Sequence, residues 1–305
     1  MSRLTIAIPT FRRPEDLKRA VGGVLEQASE LAAGPTTEAS GPRTDAEAGT
    51  EDDAAGATDA KGGAGEDVSD IEVLVIDNDA QGSGREAALA AAADAGVPVR
   101  FPADASVESG GMSVRYVVEE RPGVAAVRNR ALDETAERDL LIFIDDDEDP
   151  EPGWLAALVG LWASTGCQAV AGPVIPVYEV EPEEWVRQGE FFVRRTWPTG
   201  TVRPVAASNC LLLDLGFVRR AGLRFDEAFG ATGGEDTLFT RRLSAAGGVI
   251  RWCDEARVRD HVPASRLTRP WILRRQRSHA ATSVRVELAL AGGGVQPAIR
   301  ARAAA

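Results

Sequence analysis

The chain has 305 residues, 44% of them hydrophobic, which is enough to bury one large core or one core with a small appendage. Its formal net charge of -13 argues against nucleic-acid binding, because such proteins need a cationic surface that displaces phosphate counterions. Three scattered cysteines without C-x-x-C spacing argue against a zinc site, and no apolar run is long enough for a membrane span. We therefore expect a cytoplasmic protein that is at most peripheral to the inner face of a membrane.

The first elements of the chain predict a βαβ unit. An apolar strand runs from Leu4 to Ile8, and Pro9 ends it before a helix that begins at Pro14. From about residue 30 to 70 the chain consists mainly of Ala, Gly, Thr, Asp and Glu, with almost no large apolar side chain. Such a composition cannot offset the entropy lost on ordering, so we expect a disordered acidic insertion here.

The alternation of strand and helix continues beyond this insertion. We predict strands over residues 71–76, 114–118 and 140–144, a helix near 85–95 and a second helix through Val127 to Leu132. The strand at 140–144 is apolar throughout, which is typical of a parallel sheet covered by helices on both faces. The pattern predicts an α/β fold with a Rossmann-like, mostly parallel sheet.

The C-terminal half is more mixed. Helices are predicted near 154–162 and 236–245, and short strands near 169–177 and 208–213. Beyond Pro270 an Arg-rich helix precedes a Gly-rich and Ala-rich tail that we expect to be flexible. We expect three parts: residues 1–150 and 151–265 as two halves of one domain, and residues 266–305 as a basic helix with its tail.

A block of carboxylates follows the strand at 140–144 directly. Asp145, Asp146, Asp147 and Glu148 stand at the edge of the sheet where open α/β folds bind ligands. Adjacent like charges raise one another's pKa, so a bound cation would stabilise them, and oxygen ligands suit magnesium or manganese. The alternative is a solvated acidic loop that caps the next helix. Asp77 also follows a buried strand directly, although Asp77-Asn78-Asp79 is in addition a common turn composition.

Five segments, in this order along the chain, resemble the family 2 glycosyltransferases with the GT-A fold. They are spread over nearly the whole chain apart from the insertion and the tail, and their order carries more information than any one of them. The segments are residues 5–14 (TIAIPTFRRP), 75–79 (VIDND), 123–131 (GVAAVRNRA), 144–148 (IDDDE) and 233–243 (GGEDTLFTRRL).

The resemblance implies a role for individual residues. Residues 1–150 would bind the nucleotide sugar, and 151–265 would bind the acceptor and carry the catalytic base. Two departures from the family pattern are Asn78-Asp79, where a small residue is usual, and the extra acid Asp146. The implied roles are nucleotide contacts for Pro9, Thr10, Arg13 and Arg128; base recognition, with uracil favoured, for Asp77; ribose or metal contact for Asp145, beside Asp146; metal binding for Asp147 and His261; and general base catalysis for Asp236, with Glu235 as second candidate.

The function implied by the resemblance is inverting, metal-dependent transfer of a sugar from a nucleoside diphosphate sugar, with UDP favoured, to an acceptor hydroxyl. The cofactor would be Mn²⁺ or Mg²⁺, and the acceptor could be lipid-linked, in the biosynthesis of a polysaccharide, glycolipid or other glycoconjugate. The basic stretch from Arg266 to Arg277 could rest on anionic lipid or pack on the core.

Three other functions remain open at this point. A catalytically silent sugar-nucleotide-binding or scaffold protein could share the fold, but the presence of both Asp147 and Asp236 argues against it. A nucleotidyltransferase would normally have a glycine-rich loop after its first strand, and residues 9–13 (PTFRR) contain no glycine. A phosphatase with a nucleophilic aspartate would have its acids at the first strand rather than at the fourth.

Overall fold

The structure, a computed structural model, describes residues 2–33, 68–101, 111–230 and 232–291. Most of the predicted acidic insertion and of the predicted flexible tail lies outside these residues. Within them no helix is long and apolar enough to cross a membrane.

The described residues contain twelve strands, which form two sheets. In chain order they are β1 Ser2–Thr10, β2 Val68–Asp77, β3 Val99–Arg100, β4 Gly111–Val118, β5 Leu140–Ile144, β6 Glu148–Pro150, β7 Ala169–Ala171, β8 Val174–Tyr178, β9 Val202–Arg203, β10 Cys210–Asp214, β11 Ile250–Trp252 and β12 Val258–Val262. The larger sheet has the order β3-β4-β2-β1-β5-β10-β7-β11-β9, and the smaller has the order β6-β12-β8.

The pairing of the larger sheet brings the carboxyl ends of several strands to one edge. Strands β1 to β5 of this sheet are parallel, and Thr10 of β1 pairs with Asp77 of β2, which in turn pairs with Val118 of β4. Strand β10 then runs antiparallel between β5 and β7. The residues that follow β1, β2 and β5 therefore lie near one another at a single edge.

Eight α-helices surround the sheets: α1 Pro14–Ala33, α2 Arg85–Asp94, α3 Val124–Glu134, α4 Trp154–Thr165, α5 Glu184–Gln188, α6 Leu215–Arg220, α7 Glu235–Ala245 and α8 Arg269–Leu290 among the described residues. One buried cluster contains apolar residues of α1, α2 and α4, and a second contains residues of α3, α6 and α7. Both clusters include strand residues, such as Ile6 in the first and Ala7 in the second, because successive side chains of a strand point to opposite faces. The predicted α/β fold, a mostly parallel sheet flanked by helices, is confirmed.

Two features of the C-terminal half position the candidate site. The smaller sheet begins with β6 immediately after the carboxylate block, and β12 of that sheet pairs with β6 through Asp260 and Glu148. Helix α8 packs into one small apolar cluster through Ile272 and into another through Val286. Its middle, residues 273–281, is exposed along its length.

Candidate functional site

A cavity of about 730 Å³ opens at the carboxyl ends of β1 and β5. We call it the first cavity. It brings together six of the residues that the sequence singled out: Pro9, Thr10, Arg13, Asp145, Asp146 and Asp147. Its lining also includes Phe11, Asn78, Gly123, Glu148, Arg194, Asn209, Asp260, Arg266 and Arg275.

Two arginines neutralise part of the carboxylate block. Thr10 Oγ1 donates to Asp146 Oδ2 at 2.7 Å, and Arg13 Nη1 donates to the other oxygen of Asp146 at 3.1 Å. The same Arg13 nitrogen lies 2.8 Å from Asp147 Oδ2, which also accepts from Arg266 Nη2 at 3.2 Å. Arg13 comes from the β1–α1 turn and Arg266 from just before α8, so two segments far apart in the sequence contact Asp147.

Asp145 and Glu148 are less well neutralised. Burial raises the pKa of Asp145 to about 6; Arg128 opposes this shift, and the neighbouring Asp147 and Asp146 add to it. Glu148 is buried, accepts from Asn209 Nδ2 at 2.5 Å and from the Asp145 N–H at 3.1 Å, and burial raises its pKa well above the usual value. The site thus holds more negative charge than its arginines offset, which favours a bound cation.

The two predicted metal ligands do not face each other. His261 Nε2 lies 2.5 Å from Asp149 Oδ2, and Asp149 also accepts from Arg19. His261 lines a separate cavity of about 390 Å³, which shares Arg13, Asp147 and Arg266 with the first. Among the residues that the structure describes, no group of three His, Cys, Asp or Glu is arranged to hold a metal ion. The carboxylate oxygens of Asp145 and Asp147 nevertheless have the chemistry that Mg²⁺ and Mn²⁺ prefer, and the raised pKa of Asp145 fits a place for a cation.

Asp77 lies behind the first cavity rather than in its lining. It is fully buried, and its Oδ2 accepts from the Gly84 N–H and from Tyr116 Oη, both at 2.7 Å. Its Oδ1 accepts from the Asp79 N–H. In this arrangement the carboxylate stabilises the turn after β2. Its role in base recognition stays a prediction.

Asn78, which departs from the family pattern, does reach the cavity. Its Nδ2 donates to the carbonyls of Glu119 and Arg121, both at 2.7 Å, and its Oδ1 accepts from the Gly123 N–H at 2.9 Å. Gly123 has a φ of 108°, which favours glycine, and it precedes α3. Asn78 therefore fixes the β4–α3 loop as one wall of the cavity. The sequence signal that could have identified Asn78 was its departure from the small residue that is usual in the family.

Arg128 connects the carboxylate block to α7. It is buried, forms an ion pair with Glu235, and its Nη2 lies 3.7 Å from Asp145 Oδ1. Arg128 Nε and Glu235 Oε2 are buried without a hydrogen-bond partner in the described structure. Burial raises the pKa of Glu235, and Arg128 opposes that shift. Neither side chain lines the first cavity.

Asp236 stands beside Glu235 in the first turn of α7 and is half-buried. Its Oδ1 accepts from the Thr237 N–H at 2.6 Å, as expected for an acid at a helix N-terminus. It does not line the first cavity, but its charge acts on His279, which lines a second cavity. Its role as a general base stays a prediction.

The second cavity, of about 220 Å³, adjoins the first and shares Arg194, Asp260, Arg266 and Arg275 with it. Its remaining lining is largely apolar and aromatic. Phe192 and Trp271 stack there with their ring centroids 5.8 Å apart. No motif surrounds Arg194, so the sequence did not indicate that it belongs to a site.

The sequence of the chain matches a known protein family. Residues 64–214 match the sequence model of the family described as Glycosyl transferase family 2. The chain is also 33% identical over 212 residues to succinoglycan biosynthesis protein ExoM of Rhizobium meliloti (strain 1021), a match that covers 68% of this chain and 62% of that protein. The chain thus spans less than two thirds of the length of this relative.

Solved structures show the same fold at low sequence identity. S. aureus TarS 1-349 has a TM-score of 0.56 at 12% identity, over 99% of this chain and 70% of that one. Its complex with UDP-GlcNAc has a TM-score of 0.53 at 12% identity, over 85% of this chain and 58% of that one. GalNAc-T7 with UDP, GalNAc and Mn²⁺ has a TM-score of 0.54 at 13% identity, over 86% and 44% of the two chains. The fold of the chain is that of the GT-A glycosyltransferases.

Proposed function

Because the chain belongs to glycosyl transferase family 2, we propose that it transfers a sugar from a nucleoside diphosphate sugar to a hydroxyl group of an acceptor. The observation that carries this proposal is the first cavity, in which the carboxylate block meets Arg13 at the carboxyl edge of the sheet. Carboxylates suit a divalent cation, and arginines suit phosphate groups. A nucleoside diphosphate with its cation needs both.

The nucleoside occupies the part of the first cavity formed by the ends of β1 and β2 and by the start of α3. Pro9, Thr10, Phe11, Asn78 and Gly123 line this part. Phe11 is 52% exposed there and offers a ring face to a base. UDP is the favoured nucleotide, a choice supported by the UDP and UDP-GlcNAc complexes of proteins with the same fold. Residues 1–150 thus form the donor half.

Asp145 and Asp147 are the residues of this chain that would hold Mn²⁺ or Mg²⁺. When bound, the cation offsets the negative charge of the departing diphosphate. Arg13, which now contacts Asp147, lies where it can contact the phosphates of the donor instead. The GalNAc-T7 structure with Mn²⁺ supports a metal-dependent reaction.

Asp236 acts as the general base that takes the proton of the acceptor hydroxyl, with inversion at the sugar carbon. It is the better candidate of the adjacent pair, because Glu235 is buried against Arg128 whereas Asp236 is half-exposed. Residues 151–265 form the acceptor half. The succinoglycan relative supports a growing glycan as the acceptor.

The test is a screen of nucleotide sugars for release of the nucleoside diphosphate, with and without manganese. Wild type should hydrolyse one donor of the panel slowly, and a chelator should stop the reaction. Asp147→Asn keeps the shape of the side chain but removes a metal-binding charge, so its rate should fall by at least about tenfold. Asp149→Asn is the matched control, because Asp149 faces His261 and Arg19 instead, and it should keep the rate.

A protein that binds a nucleotide sugar but hydrolyses and transfers none would instead be the catalytically silent sugar-nucleotide-binding protein. Undiminished turnover in the presence of the chelator would contradict the metal assignment.

A further inference from the structure

Three arginines from separate segments converge on the wall between the first and second cavities. Arg194 comes from the loop after α5, Arg266 from the turn before α8, and Arg275 from α8 itself. All three line both cavities. We call them the arginine cluster.

The carboxylates near this cluster contact two of its three members. Arg194 Nη2 lies 3.6 Å from Asp260 Oδ2, and Arg266 contacts Asp147. Within the described part of the chain, Arg275 has neither an ion pair nor a hydrogen bond, and its guanidinium carbon instead lies 5.6 Å from the centre of the Trp271 ring. Its N–H donors are therefore free for a ligand.

Trp271 also contacts Arg266, another member of the cluster. The guanidinium carbon of Arg266 lies 5.9 Å from the same ring centre. Although Arg275 is exposed as a whole, partial desolvation of its guanidinium in the cavity wall and the nearby charges of Arg194 and Arg266 lower its pKa, so the three cations repel one another. An anion between them would relieve this repulsion.

The charge balance differs between the two cavities. Five carboxylates and four arginines line the first, whereas one carboxylate, Asp260, and the arginine cluster line the second. In a chain with a net charge of -13, the second cavity is thus a local cationic site. Its aromatic lining, Phe191, Phe192 and Trp271, suits the apolar or sugar part of the same ligand.

We propose that the arginine cluster binds a phosphate or diphosphate ester carried by the acceptor, which enters through the second cavity. This proposal rests on the proposed function, because only a transferase has an acceptor. The anion site itself can be tested without that function. Arginine is suited to the role because its planar N–H donors match the oxygens of a phosphoryl group.

The first experiment measures the binding of inorganic diphosphate by calorimetry in metal-free buffer, so that the carboxylate block has no cation through which to recruit it. Wild type should bind, and Arg275→Gln should weaken binding by about tenfold or more, because a charged donor is lost. Arg274→Gln is the matched control: Arg274 is exposed on the same helix, lines neither cavity and should behave as wild type.

The second experiment separates the acceptor from the donor as the source of the phosphate. Binding of UDP with manganese should change by less than about twofold in Arg275→Gln, because the proposed donor contacts are made by Arg13, Asp145 and Asp147 and not by Arg275. If UDP and diphosphate affinity fall together, the cluster belongs to the donor site and the proposal is wrong. It is equally wrong if wild type does not bind diphosphate, or if Arg275→Gln binds it unchanged.

Arg194→Gln provides a second variant, in case Arg275→Gln does not fold, and should give the same loss of diphosphate affinity. Failure of wild type to bind UDP would count against the proposed function alone, because the diphosphate measurement does not involve the nucleoside.

Discussion

Asp145 has a titration behaviour that follows from its surroundings. Its pKa of about 6 in the fold lies above the usual 3.8, so the folded protein binds an extra proton between these values. The contribution of Asp145 to the free energy of unfolding therefore falls as the pH rises from about 4 to 6 and is constant above. Because 36% of the side chain is exposed, we expect solvent to reduce the effect to about 1 kcal/mol.

Asp145→Asn should remove this penalty without changing the size of the side chain. In the presence of a chelator, the melting temperature of the variant should be about 2 to 4 °C above that of wild type at pH 7.5. At pH 4 the two melting temperatures should differ little. Thermal melts of both proteins at the two pH values provide the measurement. A variant that is less stable than wild type at pH 7.5 would show that the contact with Arg128 outweighs the burial of charge.

A substitution of Asp236 tests whether this residue acts on the acceptor or on the donor. A general base acts on the acceptor, so Asp236→Asn should lower transfer by about 10²- to 10⁴-fold and leave donor affinity nearly unchanged. Calorimetry with the nucleotide sugar and manganese, paired with a transfer assay, separates the two effects. Loss of donor affinity together with transfer would move Asp236 to the donor site, and transfer near the wild-type rate would make Glu235 the next candidate.

The helix α1 returns the chain to the edge of the sheet that lies opposite the first cavity. Twenty helical residues span about 30 Å, and the nine residues of β1 span about 30 Å in the other direction. Ala33 therefore ends near the start of β2, whose Val68 pairs with Ser2. The two described residues that flank the insertion, Ala33 and Val68, therefore both lie towards this edge.

Replacing residues 34–65 with an eight-residue Gly-Ser linker should consequently leave the protein folded. The linker can span about 27 Å, and a shorter loop changes the closing entropy by only about 1 kcal/mol. We expect a melting temperature within about 3 °C of wild type and an unchanged rate of donor hydrolysis. An insoluble variant, or a folded but inactive one, would show that the insertion contributes to structure or catalysis.

The elements that could be predicted are those whose local pattern matches their burial. Strands β1, β2 and β5 are apolar because both faces of the sheet are covered, and a run of five buried residues such as Leu140–Ile144 shows this in sequence. Strand β6 could not be predicted, because Glu148–Pro150 has no alternation of apolar and polar residues. Its partner β12 lies far away in the sequence and meets it only when the chain has folded.

The site was predictable in part for a related reason. The turns after β1 and β5 follow their strands directly, so Thr10 and Asp147 could be placed at the carboxyl edge of the sheet. Contacts between distant segments could not: Arg266 reaches Asp147 across 119 residues, and no local pattern encodes that approach. Nor could a strand-end position show that Asp77 would accept its bonds from Gly84 and Tyr116.

The two halves of the chain are joined by a buried charge pair. Arg128 belongs to α3 of the first half, and Glu235 to α7 of the second. Removing one partner leaves the other charged and buried, which costs about 3–5 kcal/mol. The halves should therefore unfold together, in one transition.

Arg128→Met should lower the free energy of unfolding by about this amount, and Glu235→Gln in the same chain should recover part of it. Urea denaturation of the single and double variants measures the coupling. Arg224→Met breaks a surface pair with Asp133, in which both side chains are about half exposed, and should cost less than about 1 kcal/mol. Two separate transitions in wild type would contradict the assignment of both halves to one domain.

The central place of β1 in the larger sheet has a consequence for synthesis of the chain. This strand leaves the ribosome before the other described strands, but one of its two neighbours, β5, begins pairing only at Leu140, which is 136 residues after Leu4. At about 5 to 20 residues per second, that partner appears roughly 7 to 30 seconds later. During this interval the backbone edge of β1 that will meet β5 is unpaired, and the apolar side chains Leu4, Ile6 and Ile8 lack part of their final cover. The nascent chain should therefore be a substrate for chaperones that bind short apolar segments near the ribosome exit.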